Sequence, residues 1–195
     1  LGGGLLYLLR GVWTDAAIPA VAAALCFCLS MAALYAASAI YHYYPGTAAS
    51  GGVKRVLRKM DHSMIYVLIA GSYTPFCVVP LPQPRGTQFC LILWGVALAG
   101  VLAKMLWINA PRMLSTAVYL IMGWSVVFVA KDFTALGQPC LMLVALGGIC
   151  YSVGAVFYAV KKPNISAEWT FHELFHLLIL AGSFFHYLAV YLYVL

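Results

Sequence analysis

His172 and His176 stand four residues apart, and a helix would put them on one face about 40° from each other. Two imidazoles at that spacing can share one metal ion. His42, from an earlier segment, would complete three neutral nitrogen ligands. A fourth position would stay open for water, which is the arrangement of a catalytic zinc site. Ser38 precedes His42 by one helical turn and can hydrogen-bond on the same face, as support for the metal site or an oxyanion. Asp61 accepts but does not donate when ionised; it could orient an imidazole, position the water or act as base. Each of these groups also has a plainer reading as a hydrogen-bonded core residue. What favours metal is the number of them at one depth in the molecule, derived below.

Two more histidines fall outside this set. His62 points about 100° away from Asp61 and would face lipid headgroups. His186 lies 14 residues beyond His172, about 21 Å along a helix, too far to share the ion. With Ser183 it would hydrogen-bond inside a bundle. The run His172-Glu173-Leu174-Phe175-His176 also spells H-E-x-x-H, in which Glu173 would be the general base of an intramembrane zinc metalloprotease. Five residues with two free positions also arise by chance, and no Asp-Gly motif of the kind membrane zinc proteases use accompanies them.

The elements that carry these residues must be membrane helices. The 195 residues are 65% hydrophobic and 8% charged, with a mean hydropathy of +0.96. Soluble domains run at about half apolar and a quarter charged, so this chain cannot cover a wet surface. Disorder, collagen and coiled coil are excluded by the same composition. The net charge of +6 then records orientation and headgroup contact, not affinity for nucleic acid. Six cysteines without C-x-x-C spacing read as small membrane hydrophobes.

One crossing takes about 20 apolar residues. Six such segments span approximately 17–44, 60–81, 87–108, 112–130, 140–160 and 171–195, after an apolar stub over 1–9. Turn chemistry separates them at Tyr44-Pro45-Gly46, Pro80 through Gly86, Asn109-Ala110-Pro111, Gly137-Gln138-Pro139 and Lys161-Lys162-Pro163-Asn164. These runs are too long for barrel strands, and helices satisfy their own backbone in lipid. The stub reads as a first helix cut by the start of the chain. The expected fold is an all-α seven-transmembrane bundle, a single multipass domain over 1–195 in the plasma membrane.

Basic residues set the expected orientation. Arg10, Arg85 and Lys131 fall on one side. Lys54, Arg55, Arg58, Lys59, Lys104, Arg112, Lys161 and Lys162 fall on the other, which should be cytoplasmic. The N-terminus then starts in the cytoplasm and the C-terminus ends outside. The sequon Asn164-Ile165-Ser166 falls in the cytoplasm, where it would go unused. His42, Asp61, His172 and His176 come to one depth near the cytoplasmic face. Within the longest cytoplasmic break, Val53, Val56, Leu57 and Met60 recur at helical spacing opposite Lys54, Arg55, Arg58 and Lys59. That is a short basic amphipathic helix suited to anionic headgroups, or an ordinary positive-inside loop.

Ser38-Ala-Ile-Tyr-His42, Lys54-Arg-Val-Leu-Arg-Lys-Met-Asp61-His-Ser and Ala70-Gly-Ser-Tyr-Thr-Pro75 form an ordered set with Met122-Gly-Trp124. His172-Glu-Leu-Phe-His176, running on through Ala181-Gly-Ser-Phe-Phe-His186, completes it. The set resembles the hemolysin III family, in the progestin and adipoQ receptor superfamily, and is nearer its bacterial branch. The resemblance implies a seven-helix bundle with a cytoplasmic N-terminus. It also implies zinc on His42, His172 and His176, with Asp61 and Ser38 beside the ligands, and a kinship with membrane hydrolases of lipid amides. Glu173 does not match a fixed position of the family pattern, so the resemblance gives it no general-base role. Three activities follow in order: a zinc-dependent hydrolase of lipid amides or esters near the cytoplasmic leaflet, a receptor-like or regulatory protein with a structural zinc, and the metalloprotease. A haemolytic pore ranks below these, because no amphipathic stripe is rich enough to line a channel.

Overall fold

The computed structural model describes residues 17–46, 52–107, 111–133 and 136–194. The stub over 1–9, Arg10 and the Asn109-Ala110 part of one break lie outside the described residues. The described elements are all helical. They are α1 (Ala17–Tyr43), α2 (Val53–Val78), α3 (Arg85–Leu106), α4 (Arg112–Gly123), a 3₁₀ turn (Trp124–Val129), α5 (Ala130–Phe133), α6 (Gln138–Val160) and α7 (Phe171–Tyr193). Among the described residues, five spans are long and apolar enough to cross a membrane: Ile18–Tyr43, Arg85–Leu106, Met113–Phe133, Gln138–Val160 and Phe171–Tyr193. Large apolar side chains such as Leu91, Ile92, Ile121 and Phe128 face outward, as they do where lipid is the solvent.

The chain divides into two compact units, Leu1–Ala110 and Pro111–Leu195. In the first, α2 packs against both α1 and α3. It is less apolar than its neighbours but the most buried of them, with Asp61, Ser63, Ser72 and Thr74 inside. Small residues allow the approach to α1. A Cβ on Gly71 would sit 2.2 Å from Ser30 Oγ, and the Ser30 hydroxyl donates back to Phe27 O at 2.7 Å.

Two sequence expectations change here. The basic amphipathic stretch and the segment over 60–81 are a single uninterrupted helix, Val53–Val78. Nothing between Met60 and Asp61 breaks the hydrogen-bond ladder; the switch from amphipathic to apolar marks a change of surroundings, not of backbone. The segment over 112–130 is interrupted instead, tightening to 3₁₀ geometry at Trp124–Val129. There Ser125 Oγ donates to Met122 O at 2.6 Å, a local bond of the sort that perturbs a helical ladder.

In the second unit α6 and α7 pack side by side, and α4 also touches α6. Glycine again permits contact. The His186 ring lies where a Cβ on Gly147 would be, 2.3 Å from its Cδ2.

Candidate metal centre

The first turn of α7 is fixed by its own sequence. Thr170 caps the helix: its side chain accepts from His172 N–H at 3.3 Å. Its backbone N–H donates to Glu173 Oε2 at 3.0 Å, and its hydroxyl also meets that carboxylate. This is a capping box, which satisfies two of the donors a helix start leaves open. Asn164 adds a bridge, accepting from Phe171 N–H at 3.1 Å and donating to Lys161 O at 3.3 Å. The sequence reading missed this device, although Thr170-x-x-Glu173 is its signature.

That anchored turn presents the two histidines. The Nε2 atoms of His172 and His176 are 3.2 Å apart, with ring centroids at 4.6 Å and planes at 86°. Two nitrogens bonded to one tetrahedral zinc at 2.0–2.1 Å lie about 3.3 Å apart, so the pair fits such an ion as it stands. Both rings are half-buried. Tyr158 of α6 tilts over His172 at 6.4 Å, and Phe175 stacks on it at the same distance.

In the first unit, His42 is the penultimate residue of α1 and is exposed; Ser38, one turn earlier, is half-buried. The end of α1 is held by Lys54 of α2, whose ammonium donates to Tyr41 O and Tyr44 O and lies 4.7 Å over the Tyr41 ring. Lys59 does the same for α3, donating to Met105 O. Cations at these carbonyl ends oppose the helix dipole. Two of the four basic residues expected at headgroups are therefore engaged with helix ends, while Arg55 and Arg58 are exposed. Asp61 is 9% exposed, with a carboxylate oxygen 3.7 Å from His62 Nδ1. His62 does not face outward as expected: it is half-buried, and Nδ1–H donates to Arg58 O at 2.7 Å in its own helix.

Chemically, an imidazole is a neutral nitrogen ligand for a metal ion; His172 and His176 present two side by side in the second unit, and His42 carries another in the first. His186 stays apart from the pair. Its Nε2–H donates to Val144 O at 3.2 Å, and Nδ1 is buried without a hydrogen-bond partner among the described residues. Ser183, expected beside it, pairs with Tyr151 OH at 2.9 Å, and the Tyr151 ring meets His186 edge-on. Glu173, the base of the protease reading, has its carboxylate turned back onto Thr170. That occupation weakens the H-E-x-x-H assignment.

Comparison with known proteins agrees with the motifs. The family model described as "Haemolysin-III related" matches residues 2–187. The Hemolysin-3 homolog of Bacillus subtilis (strain 168) is 39% identical over 158 residues, 80% of this chain and 70% of that protein. Hemolysin-3 of Bacillus cereus is 35% identical over 179 residues, 90% of this chain and 77% of its own length. The human monocyte to macrophage differentiation factor is 25% identical over 166 residues, covering 85% and 67%.

Proposed function

The chain belongs to the hemolysin III family of the progestin and adipoQ receptor superfamily, and on that ground we propose that it is a zinc-dependent hydrolase of lipid amides or esters. With five helices able to cross a bilayer among the described residues, it is a multi-pass protein of the cell membrane. In the proposed reading it has seven crossings acting as one domain, a cytoplasmic N-terminus and an extracytoplasmic C-terminus. The site then lies near the inner leaflet.

His172 and His176 hold the metal from α7, and His42 adds the third nitrogen from the end of α1. Zinc so held would supply an acidified water near neutral pH and polarise a carbonyl oxygen. Asp61 would position that water and accept its proton. Ser38 supports His42 or the developing oxyanion from the same helix face. Asn164, Thr170 and Glu173 keep the α7 ligands in register. Arg55 and Arg58 meet anionic headgroups, with Val53, Val56 and Met60 exposed beside them for the acyl boundary. No nucleic acid enters the reading.

The observation that carries the proposal is the 3.2 Å separation of the two Nε2 atoms, the spacing two ligands of one zinc adopt. The test is fatty-acid release from a ceramide and phospholipid panel by purified, zinc-loaded protein, with His176→Ala as control. Release by the wild type, lost in the variant, supports the hydrolase. No release from protein that still holds one zinc per chain overturns it and leaves the second reading, a receptor-like or regulatory protein with a structural zinc.

A further inference from the structure

Residues 161–170 join two helices that are each able to cross a bilayer, α6 and α7. The segment therefore starts and ends at the membrane boundary, where a spanning helix leaves the hydrocarbon. It is folded, not slack. Lys161 takes the left-handed conformation (φ 58°) that ends α6 and turns the chain out of the helix. Ile165 N–H and Ser166 N–H both donate to Trp169 O, at 2.9 and 3.3 Å. Trp169 N–H donates back to Ser166 Oγ at 3.0 Å, and that hydroxyl donates to Glu168 Oε2 at 3.2 Å. Residues 165–169 are thus a closed tip. Asn164, at its base, ties it to Lys161 O and to Phe171 N–H, one residue before His172.

This tip carries the wrong side chains for water. Ile165 is 70% exposed and Trp169 51%. Lipid suits them better, because the backbone donors of Ile165, Ser166 and Trp169 are already bonded inside the tip and would not be stranded at the edge of the hydrocarbon. The amphipathic indole ring is also the side chain that favours the level of the headgroups. Charge does not choose the lipid here. Lys161 and Lys162 are exposed, but so are Glu168 on the tip and Glu173 in the first turn of α7. Two cations facing two anions leave little preference for an anionic surface, unlike the stretch with Arg55 and Arg58.

We infer that Ile165 and Trp169 form an interfacial membrane anchor, whose partner is the headgroup–acyl boundary of phospholipid, zwitterionic or anionic alike. The two side chains enter that boundary, and the long stems of Lys161 and Lys162 let their ammonium groups stay at the headgroups. The inference rests on α6 and α7 crossing the bilayer, and not on zinc or on hydrolysis.

The test uses the whole protein at one chain per lipid nanodisc, so that no second copy can cover the tip. Trp169 is one of five tryptophans, and its emission is the difference between the wild type and Trp169→Phe. Phosphatidylcholine brominated near the headgroup end of its acyl chains should quench that component about twofold more than lipid brominated near the methyl end, as a shallow anchor requires. Adding phosphatidylglycerol should leave the ratio unchanged. Ile165→Asp should raise acrylamide quenching of the Trp169 component by about twofold, as the tip leaves the boundary, and Ile165→Leu should not. Position 165 enters the bonds of the tip only through its backbone, so the aspartate keeps the loop closed. A Trp169 component quenched by acrylamide as free tryptophan is and by neither brominated lipid would overturn the inference. So would stronger quenching by the deep label, or quenching that needs phosphatidylglycerol. The wild type and Trp169→Phe decide the matter even if Ile165→Asp fails to fold.

Discussion

Two helices open with the residues that matter most here, and they are anchored in opposite ways. The start of α7 is held locally: Thr170, Glu173 and Asn164 all lie within nine residues of His172. The start of α2 has Gly52 before it and no side-chain cap. Its lysines instead reach across to the carbonyl ends of α1 and α3. The α7 histidines are thus set by short-range chemistry, while the end of α1 that carries His42 is set by a tertiary contact. The first device costs little entropy and tolerates change elsewhere. The second fails whenever the lysine or its partner helix moves.

The sharpest way to break that contrast is to remove the reaching lysines. Lys54→Met should destabilise the first unit by about 1–2 kcal/mol, since an ammonium is lost from open carbonyls at a helix C-terminus. A thermal melt in detergent would register it, and an unchanged midpoint would mean the contact carries no stability. Thr170→Ala comes next, at about 1 kcal/mol for a lost N-cap. Hydrogen exchange should rise in the first turn of α7 and stay unchanged in α2. Glu173→Gln should have the least effect on that turn, because an amide also completes a capping box. If instead it abolished hydrolysis while leaving exchange unchanged, Glu173 would be a base after all.

The arginines separate lipid contact from helix anchoring. Arg55→Gln and Arg58→Gln should each weaken binding to vesicles rich in anionic lipid by about fivefold, from roughly 1 kcal/mol per residue. Their melting points should stay within error of the wild type. A larger loss of vesicle binding from Lys54→Met than from either arginine would reverse this division of roles.

The contrast also explains what the sequence made legible. Five crossings were readable among the described residues because bilayer length and apolar composition leave few alternatives. The one expected over 60–81 falls in the less apolar helix Val53–Val78 and is not among them. His172 and His176 were readable because four-residue spacing is itself the geometry. Thr170-x-x-Glu173 was equally readable, but H-E-x-x-H overlaps it and drew Glu173 toward catalysis. The lysines were not readable, since a basic amphipathic turn looks the same whether its ammonium groups meet phosphates or carbonyl oxygens. Nor was the partner of His186, because Ser183 is close in sequence while Val144 and Tyr151 come from α6. The single helix over Val53–Val78 was not readable because its hydropathy changes near Met60 while its backbone does not.

Metal content measured on purified protein, for the wild type beside His42→Ala and His176→Ala, tests the shared centre most directly. One zinc per chain in the wild type and at least a tenfold loss of affinity in both variants is expected if the three imidazoles hold one ion. A wild type that takes up no zinc, or variants that each retain full stoichiometry and affinity, would contradict it.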